Sequence, residues 1–140
     1  MARILVMEDD EDQADCLAEC LVRMGHKVDI ALTSDKAIGA VDTGAFDLVV
    51  ADIFIRERDV MVGNGGLRLI RHIREGGRGA PATCRDVPVI AMSGVLGGPT
   101  DGHFLALAGQ AGADLELQKP ILPARLSEAI ESLLLPRETT

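Results

Sequence analysis

Short apolar segments alternate with helix-like segments along the chain, and this alternation constrains the fold more than any other feature. The strand-like segments are residues 3–7, 27–32, 46–51, 87–92 and 113–117. Helix-like segments follow each of them: one spans Leu17 to Met24, others begin near Ser34, Gly66 and Thr100, and the last follows Pro120. Five such β–α pairs predict a parallel sheet with helices on both faces.

The composition of the strands predicts their order in the sheet. The first, third and fourth are largely apolar, which suits central strands covered on both faces. The second and fifth carry charges, which suits edges. The pattern matches the doubly wound, flavodoxin-like order 2-1-3-4-5, in a single domain over residues 1–140 with a core of about 2–135 and a short C-terminal tail. A ligand site is expected at the carboxyl ends of strands one and three, where the order reverses.

Composition excludes several classes of function. With 14 Lys and Arg against 22 Asp and Glu, the net charge is −8, which argues against binding a nucleic-acid backbone. No apolar run approaches the roughly 18 residues that would span a bilayer, and the N-terminus does not resemble a secretion signal, so a cytoplasmic protein without membrane contact is expected.

Cys16 and Cys20 are expected to be ordinary buried side chains. The basic cluster formed by Arg68, Arg71, His72 and Arg74 is expected to be a solvated helix face.

Carboxylates follow two strands that meet at the expected site. Glu8 and Asp9 come after the first strand, and Asp52 comes at the end of the third. Three carboxylates so close together repel one another, and a hard divalent cation such as Mg²⁺ relieves that repulsion with oxygen ligands. The alternative is that residues 8–12 simply favour a helix N-terminus. That alternative explains Glu11 and Asp12 but leaves Asp52 unexplained.

Two more polar residues follow the remaining strands at the same edge. Ser93 comes after strand four and Lys119 after strand five. A carboxylate that attacks phosphorus needs positive charge and hydrogen-bond donors around the phosphoryl oxygens. A lysine ammonium and a serine hydroxyl supply both.

The ordered motifs of the chain resemble those of the response-regulator receiver family of two-component signalling. The matching segments are residues 4–10 (ILVMEDD), 47–52 (DLVVAD), 89–94 (VIAMSG), 112–114 (GAD) and 119–120 (KP). The resemblance implies a role for six groups: Asp52 as phosphoacceptor and metal ligand, Glu8 and Asp9 as the acid pair for Mg²⁺, the Phe54 backbone carbonyl as a further ligand, Ser93 as the switch hydroxyl and Lys119 as the phosphate partner.

The resemblance also implies a function. A stand-alone receiver would take its phosphoryl group from a phosphohistidine on a histidine kinase or histidine phosphotransfer protein. It would then relay the group or bind an unidentified protein effector, with no enzymatic activity beyond self-catalysed phosphotransfer and slow autodephosphorylation. Two alternatives remain. One is a Mg²⁺-dependent aspartyl phosphohydrolase, disfavoured because Phe54 holds the place of the general acid. The other is a degenerate receiver that serves only as a binding scaffold.

The chain departs from the family pattern in three places, one of which is a longer segment after Ser93, at residues 94–99. The segment 53–65 is about six residues longer than usual, and we expect a loop that covers the pocket, contacts a partner or simply bulges. Glu116 stands three residues before Lys119, where receivers commonly carry the aromatic ring of their switch. The readout of phosphorylation is therefore expected to differ from that of its relatives.

Overall fold

The computed structural model describes residues 2–44, 46–52, 55–57, 60–62, 65–75, 87–93, 112–118 and 121–138. At 55–57, 60–62, 65–67, 93, 118 and 135–138 it describes the backbone alone. The elements in chain order are β1 (Arg3–Met7), α1 (Glu11–Arg23), β2 (Lys27–Ala31), α2 (Ser34–Thr43), β3 (Leu48–Asp52), β4 (Ile55–Glu57), β5 (Val60–Val62), α3 (Gly65–Glu75), β6 (Val89–Ser93), β7 (Leu115–Gln118) and α4 (Pro123–Glu138). The helix predicted near Thr100 lies outside the described residues.

Five of these strands form one parallel sheet in the order β2-β1-β3-β6-β7. Since β6 and β7 are the fourth and fifth strands expected from sequence, the predicted order 2-1-3-4-5 is confirmed. The apolar strands β1, β3 and β6 are central, and the charged strands β2 and β7 are the edges. The order reverses between β1 and β3, so their carboxyl ends border a shared crevice.

Helices cover both faces of the sheet, as expected. Side chains alternate along each strand, so Leu5 and Val49 belong to the core on one face, against Leu69, Ile70 and Ile73 of α3. The next residues along those strands belong to the core on the other face, against Leu21 of α1 and Leu126 and Ile130 of α4. No helix among the described residues is long and apolar enough to cross a membrane.

Local hydrogen bonds fix the starts of α2 and β3. The helix α2 begins at Ser34, as expected, and Thr33 caps it, because the Thr33 hydroxyl accepts a hydrogen bond from the Lys36 amide at 3.1 Å. The strand β3 begins at Leu48, two residues later than the apolar run at 46–51 suggested. Asp47 holds the chain just before it, since its carboxylate accepts from the Arg3 amide at 2.8 Å.

The segment after Asp52 contains regular structure that the sequence did not predict. The short strands β4 and β5 pair antiparallel, with Ile55 opposite Val62 and Glu57 opposite Val60. The expectation of a plain loop over 53–65 is therefore wrong in part. β-Branched residues favour extended structure, and three of the six positions in these two strands are Ile or Val: Ile55, Val60 and Val62.

The basic face of α3 is paired with other segments, which corrects the expectation of a merely solvated surface. Arg68 contacts Asp35 on α2 at 2.7 Å, and Nε2 of His72 lies 2.7 Å from the Asp42 carboxylate on the same helix. Arg74 binds across to the segments that lead into β6 and β7. Four positions expected to act alike therefore differ: Arg68, His72 and Arg74 form ion pairs or hydrogen bonds with other segments, and Arg71 is an exposed position.

We expect His26 to make the stability of the fold depend on pH. Nδ1 of its ring accepts a hydrogen bond from the Ala2 amide at 3.1 Å, and burial of the ring lowers the pKa of His26 below its ordinary value. In the pH range just below that ordinary value, the folded protein thus binds fewer protons than the unfolded chain. The contribution of His26 to the free energy of unfolding is therefore complete above this range and is lost as the pH falls through it. Urea unfolding of the wild type at about pH 7.5 and about pH 5.5 should show this loss. The same two measurements on His26→Gln should show a smaller difference, and equal losses in both proteins would contradict the role assigned to His26.

Candidate functional site

Glu8 and Asp9 leave the sheet at the carboxyl end of β1. The Glu8 amide still donates to the Ala31 carbonyl of β2 at 3.1 Å, so the backbone follows the sheet for one residue beyond the strand. Glu8 is 2% exposed, whereas Asp9 is half-buried. A central strand with helices on both faces therefore places a carboxyl group in the interior.

Asp52 is the last residue of β3 and is only 4% exposed. It lies opposite Met92 of β6 in the parallel register. Since β1 and β3 are neighbours, their ends bring the three carboxylates together. One oxygen from each of Glu8, Asp9 and Asp52 lies within 4.8 Å of the others.

The donor set fits a hard divalent cation. Like charges at these separations repel by several kcal/mol when partly desolvated, about 4 kcal/mol per pair at 4 Å in an effective dielectric of 20. Three carboxylate oxygens are fewer than the six ligands that Mg²⁺ takes, so water, a carbonyl and a phosphoryl oxygen can complete the octahedron. Two of the three carboxylates are buried, a costly arrangement for anions without a cation.

The acidic run at residues 8–12 divides between two tasks. Asp10 caps α1, because its side chain accepts from the Gln13 amide at 3.1 Å. Glu11 and Asp12 lie in the first turn of that helix, where negative charge is favourable. The helix explanation therefore covers residues 10–12, while Glu8 and Asp9 turn toward Asp52.

The other predicted site residues are described less fully. Ser93 ends β6, the strand beside β3, and pairs with Gln118 of β7, the residue before Lys119. The backbone of Ser93 thus lies at the carboxyl edge of the sheet, as predicted. Phe54 and Lys119 lie outside the described residues, as does the Ser93 side chain. Glu116 is exposed on the edge strand β7, at the position where receivers commonly carry an aromatic ring.

A cavity of about 670 Å³ adjoins the acidic site between α1 and the start of α4. Glu8 lines it together with apolar side chains and with Cys16, Cys20 and Met92. Sequence reasoning missed this cavity and was wrong about Cys16, which is exposed; Cys20 is half-buried. Helical spacing marked both cysteines as neighbours, but it did not show which face of α1 they occupy.

Comparison with known proteins identifies the family. The family model of the response regulator receiver domain matches residues 4–131. This chain belongs to the receiver family. The resemblance seen in the sequence motifs is thereby confirmed, and the general role of the family is phosphorylation-dependent, Mg²⁺-dependent signalling in two-component systems.

Curated relatives match as parts of longer proteins. The transcriptional regulatory protein DltR of Streptococcus agalactiae is 33% identical over 79 residues, which are 56% of this chain and 33% of DltR. The sensory/regulatory protein RpfC of Xanthomonas campestris is 28% identical over 131 residues, which are 94% of this chain and 16% of RpfC. The chain thus spans a third or less of the length of these relatives.

Solved structures agree with the fold. NtrX from Brucella abortus is 28% identical with a TM-score of 0.79, over 99% of this chain and 28% of NtrX. The receiver domain of a response regulator from Francisella, 21% identical, superposes with a TM-score of 0.75 over the full length of both chains. Because its identity is low, the second likeness shows the fold alone.

Proposed function

We propose that this receiver accepts a phosphoryl group on Asp52, in a Mg²⁺-dependent reaction, from a phosphohistidine on a histidine kinase or histidine phosphotransfer protein. The phosphorylated form then relays the group or binds a protein partner. The observation that carries the proposal is the buried Asp52 carboxylate at the switch point of the sheet, with oxygens of Glu8 and Asp9 within 4.8 Å.

The chemistry assigned to Asp52 is nucleophilic. One carboxylate oxygen attacks phosphorus in line with the leaving imidazole nitrogen, the new P–O bond forms, the P–N bond breaks, and the electron pair of that bond stays on the imidazole. A bound Mg²⁺ supplies positive charge beside the transferring oxygens. Glu8 and Asp9 would hold that ion beside the acceptor, because one oxygen of each lies within 4.8 Å of an Asp52 oxygen.

Three further residues complete the proposed site. We assign the Phe54 carbonyl as a ligand of the ion, the Ser93 hydroxyl as a donor to a phosphoryl oxygen, and the Lys119 ammonium as its counter-charge. Family membership supports these roles, and so does the position of Ser93 at the end of β6, beside β3. The absence of a carboxylate at position 54 favours a long-lived acyl phosphate over rapid turnover, since the acid–base group that the phosphohydrolases carry there is missing.

The proposal predicts Mg²⁺-dependent labelling of the wild-type chain. Incubation with acetyl phosphate should produce an acyl phosphate that hydroxylamine removes, and excess EDTA should slow its formation by about a hundredfold or more, because a metal ion contributes several kcal/mol of charge stabilisation to the transition state. Intact-mass spectrometry over time measures the rate. Equal rates with Mg²⁺ and with EDTA would refute the metal dependence. Sustained release of phosphate from small esters would instead favour the phosphohydrolase alternative, and Mg²⁺ binding without any labelling would favour the scaffold.

A further inference from the structure

Three sulfur-bearing side chains line the cavity between α1 and α4. They are Cys16 and Cys20 of α1 and Met92 of β6. Cys16 is exposed, Cys20 is half-buried and Met92 is 1% exposed. The three residues therefore extend from the protein surface to its core. We propose that this trio is a binding site for a soft monovalent metal ion of the copper(I) type.

The spacing of the two thiols suits a shared ion better than a disulfide. Residues four apart on a helix lie on one face with their Cβ atoms about 5–6 Å apart, and both cysteines do line the same cavity. A disulfide requires Cβ atoms about 3.5–4.5 Å apart, which the continuous helix Glu11–Arg23 does not allow without distortion. Two metal–sulfur bonds of about 2.3 Å, as in zinc thiolates, place the sulfurs up to about 4.6 Å apart, which rotation of the two side chains can reach.

The donor set selects the class of ion. Thiolate and thioether ligands favour soft ions such as copper(I). A structural zinc site has four ligands. Among the described residues, three or more His, Cys, Asp or Glu side chains come within reach of one ion only at Glu8, Asp9 and Asp52. Neither thiol belongs to that group. Two thiolates with one thioether instead match the low coordination number that copper(I) accepts.

Binding must exchange protons for the metal. Each thiol that becomes a ligand loses its S–H proton to solvent as the S–metal bond forms, and the oxidation state of copper does not change. Affinity should therefore rise with pH. Glu8 and Asp12 also line the cavity, and their negative charge favours an entering cation. Glu8 also belongs to the acidic site, so it borders both the proposed copper(I) site and the proposed Mg²⁺ site.

The test is a copper(I) competition titration on the full chain under nitrogen. The metal is supplied as its acetonitrile complex, with bathocuproine disulfonate as the competing chelator. One ion per chain is expected for the wild type. Cys16→Ser and Cys20→Ser should each weaken binding at least about tenfold, since even loss of an outer-shell partner weakens metal sites by that factor. Met92→Leu preserves the core volume and should weaken binding by a smaller factor.

Cys84→Ser is the matched control, because it removes the third thiol of the sequence. The stoichiometry and affinity of Cys84→Ser should equal those of the wild type. Circular dichroism of each variant identifies any loss of binding that comes from unfolding, and Cys16→Ser, which changes an exposed position, should keep the native spectrum. Binding that survives both Cys16→Ser and Cys20→Ser, or that disappears in Cys84→Ser, would overturn the proposal, as would no binding by the wild type. None of these readouts depends on phosphorylation of Asp52.

Discussion

Replacing Asp52 by asparagine should lower the rate of Mg²⁺-dependent phosphorylation by at least about a thousandfold, because removal of a catalytic nucleophile commonly costs that much or more. The asparagine amide has nearly the same shape as the carboxylate, but its oxygen is a poor nucleophile toward phosphorus. Intact-mass spectrometry of the variant with acetyl phosphate and Mg²⁺ measures the remaining rate. Labelling at the wild-type rate would place the acceptor elsewhere.

The control for this prediction lies at the other end of the same strand. Asp47 precedes β3, and its carboxylate accepts from the Arg3 amide at 2.8 Å. The substitution Asp47→Asn keeps an acceptor oxygen at this position, so that variant should be phosphorylated at the wild-type rate. Without Mg²⁺, Asp52→Asn should be at least as stable as the wild type, because it removes one of three adjacent negative charges. A stable but unreactive variant separates loss of chemistry from loss of fold.

The sheet was predictable because each strand carries its own evidence of burial. Leu5, Val49 and Ile90 sit in apolar segments that only strands with helices on both faces can bury, and each is fully or almost fully buried. Charges at Asp29 and Glu116 marked the edges. Strand order then placed the carboxyl ends of β1 and β3 side by side, so the meeting of Glu8, Asp9 and Asp52 followed from topology alone.

Contacts between distant side chains were not predictable in the same way. The exposure of Cys16 depends on how α1 sits against α4, and periodicity alone does not fix this rotation. The hairpin of β4 and β5 depends on pairing between short segments whose apolar residues fit several structures. Arg74 looked like any other basic residue near a helix C-terminus, and its partners lie up to 40 positions away in sequence.

Arg74 joins three parts of the chain at the amino edge of the sheet. Its Nε donates to the Gly112 carbonyl at 2.9 Å, and its two terminal nitrogens donate to the Val87 carbonyl at 2.6 Å and to the Asp114 carboxylate at 2.7 Å. Asp114 also accepts from the Val89 amide at 2.8 Å. The guanidinium therefore links the end of α3 to the segments that lead into β6 and β7.

Gly112 is part of this arrangement. Its φ is +125°, a conformation that L side chains rarely adopt, and an added Cβ would lie 2.6 Å from Cγ of Arg74. The stem of Arg74 thus packs where another residue would carry a side chain. The Gly-Ala-Asp motif at 112–114 consequently has a structural explanation: the glycine admits the arginine stem and the aspartate binds its guanidinium.

Arg74→Ala should lower the free energy of unfolding by about 2–3 kcal/mol, because it removes charge-assisted hydrogen bonds and leaves two backbone carbonyls without this donor. Arg74→Lys should lose most of the same stability, since an ammonium cannot reproduce the planar fork. Arg71→Ala, at an exposed position on the same helix, should change stability by less than about 0.5 kcal/mol. Urea unfolding monitored by circular dichroism measures all three.

The same variants test whether scaffold and site are independent. The five-residue strand β6 separates the Arg74 contacts at its amino end from Ser93 at its carboxyl end, a distance of about 13 Å. Effects at that separation are usually additive. Under conditions where it remains folded, Arg74→Ala should therefore accept phosphate at close to the wild-type rate. A tenfold loss of phosphorylation in the folded variant would show instead that the amino edge of the sheet controls the geometry around Asp52.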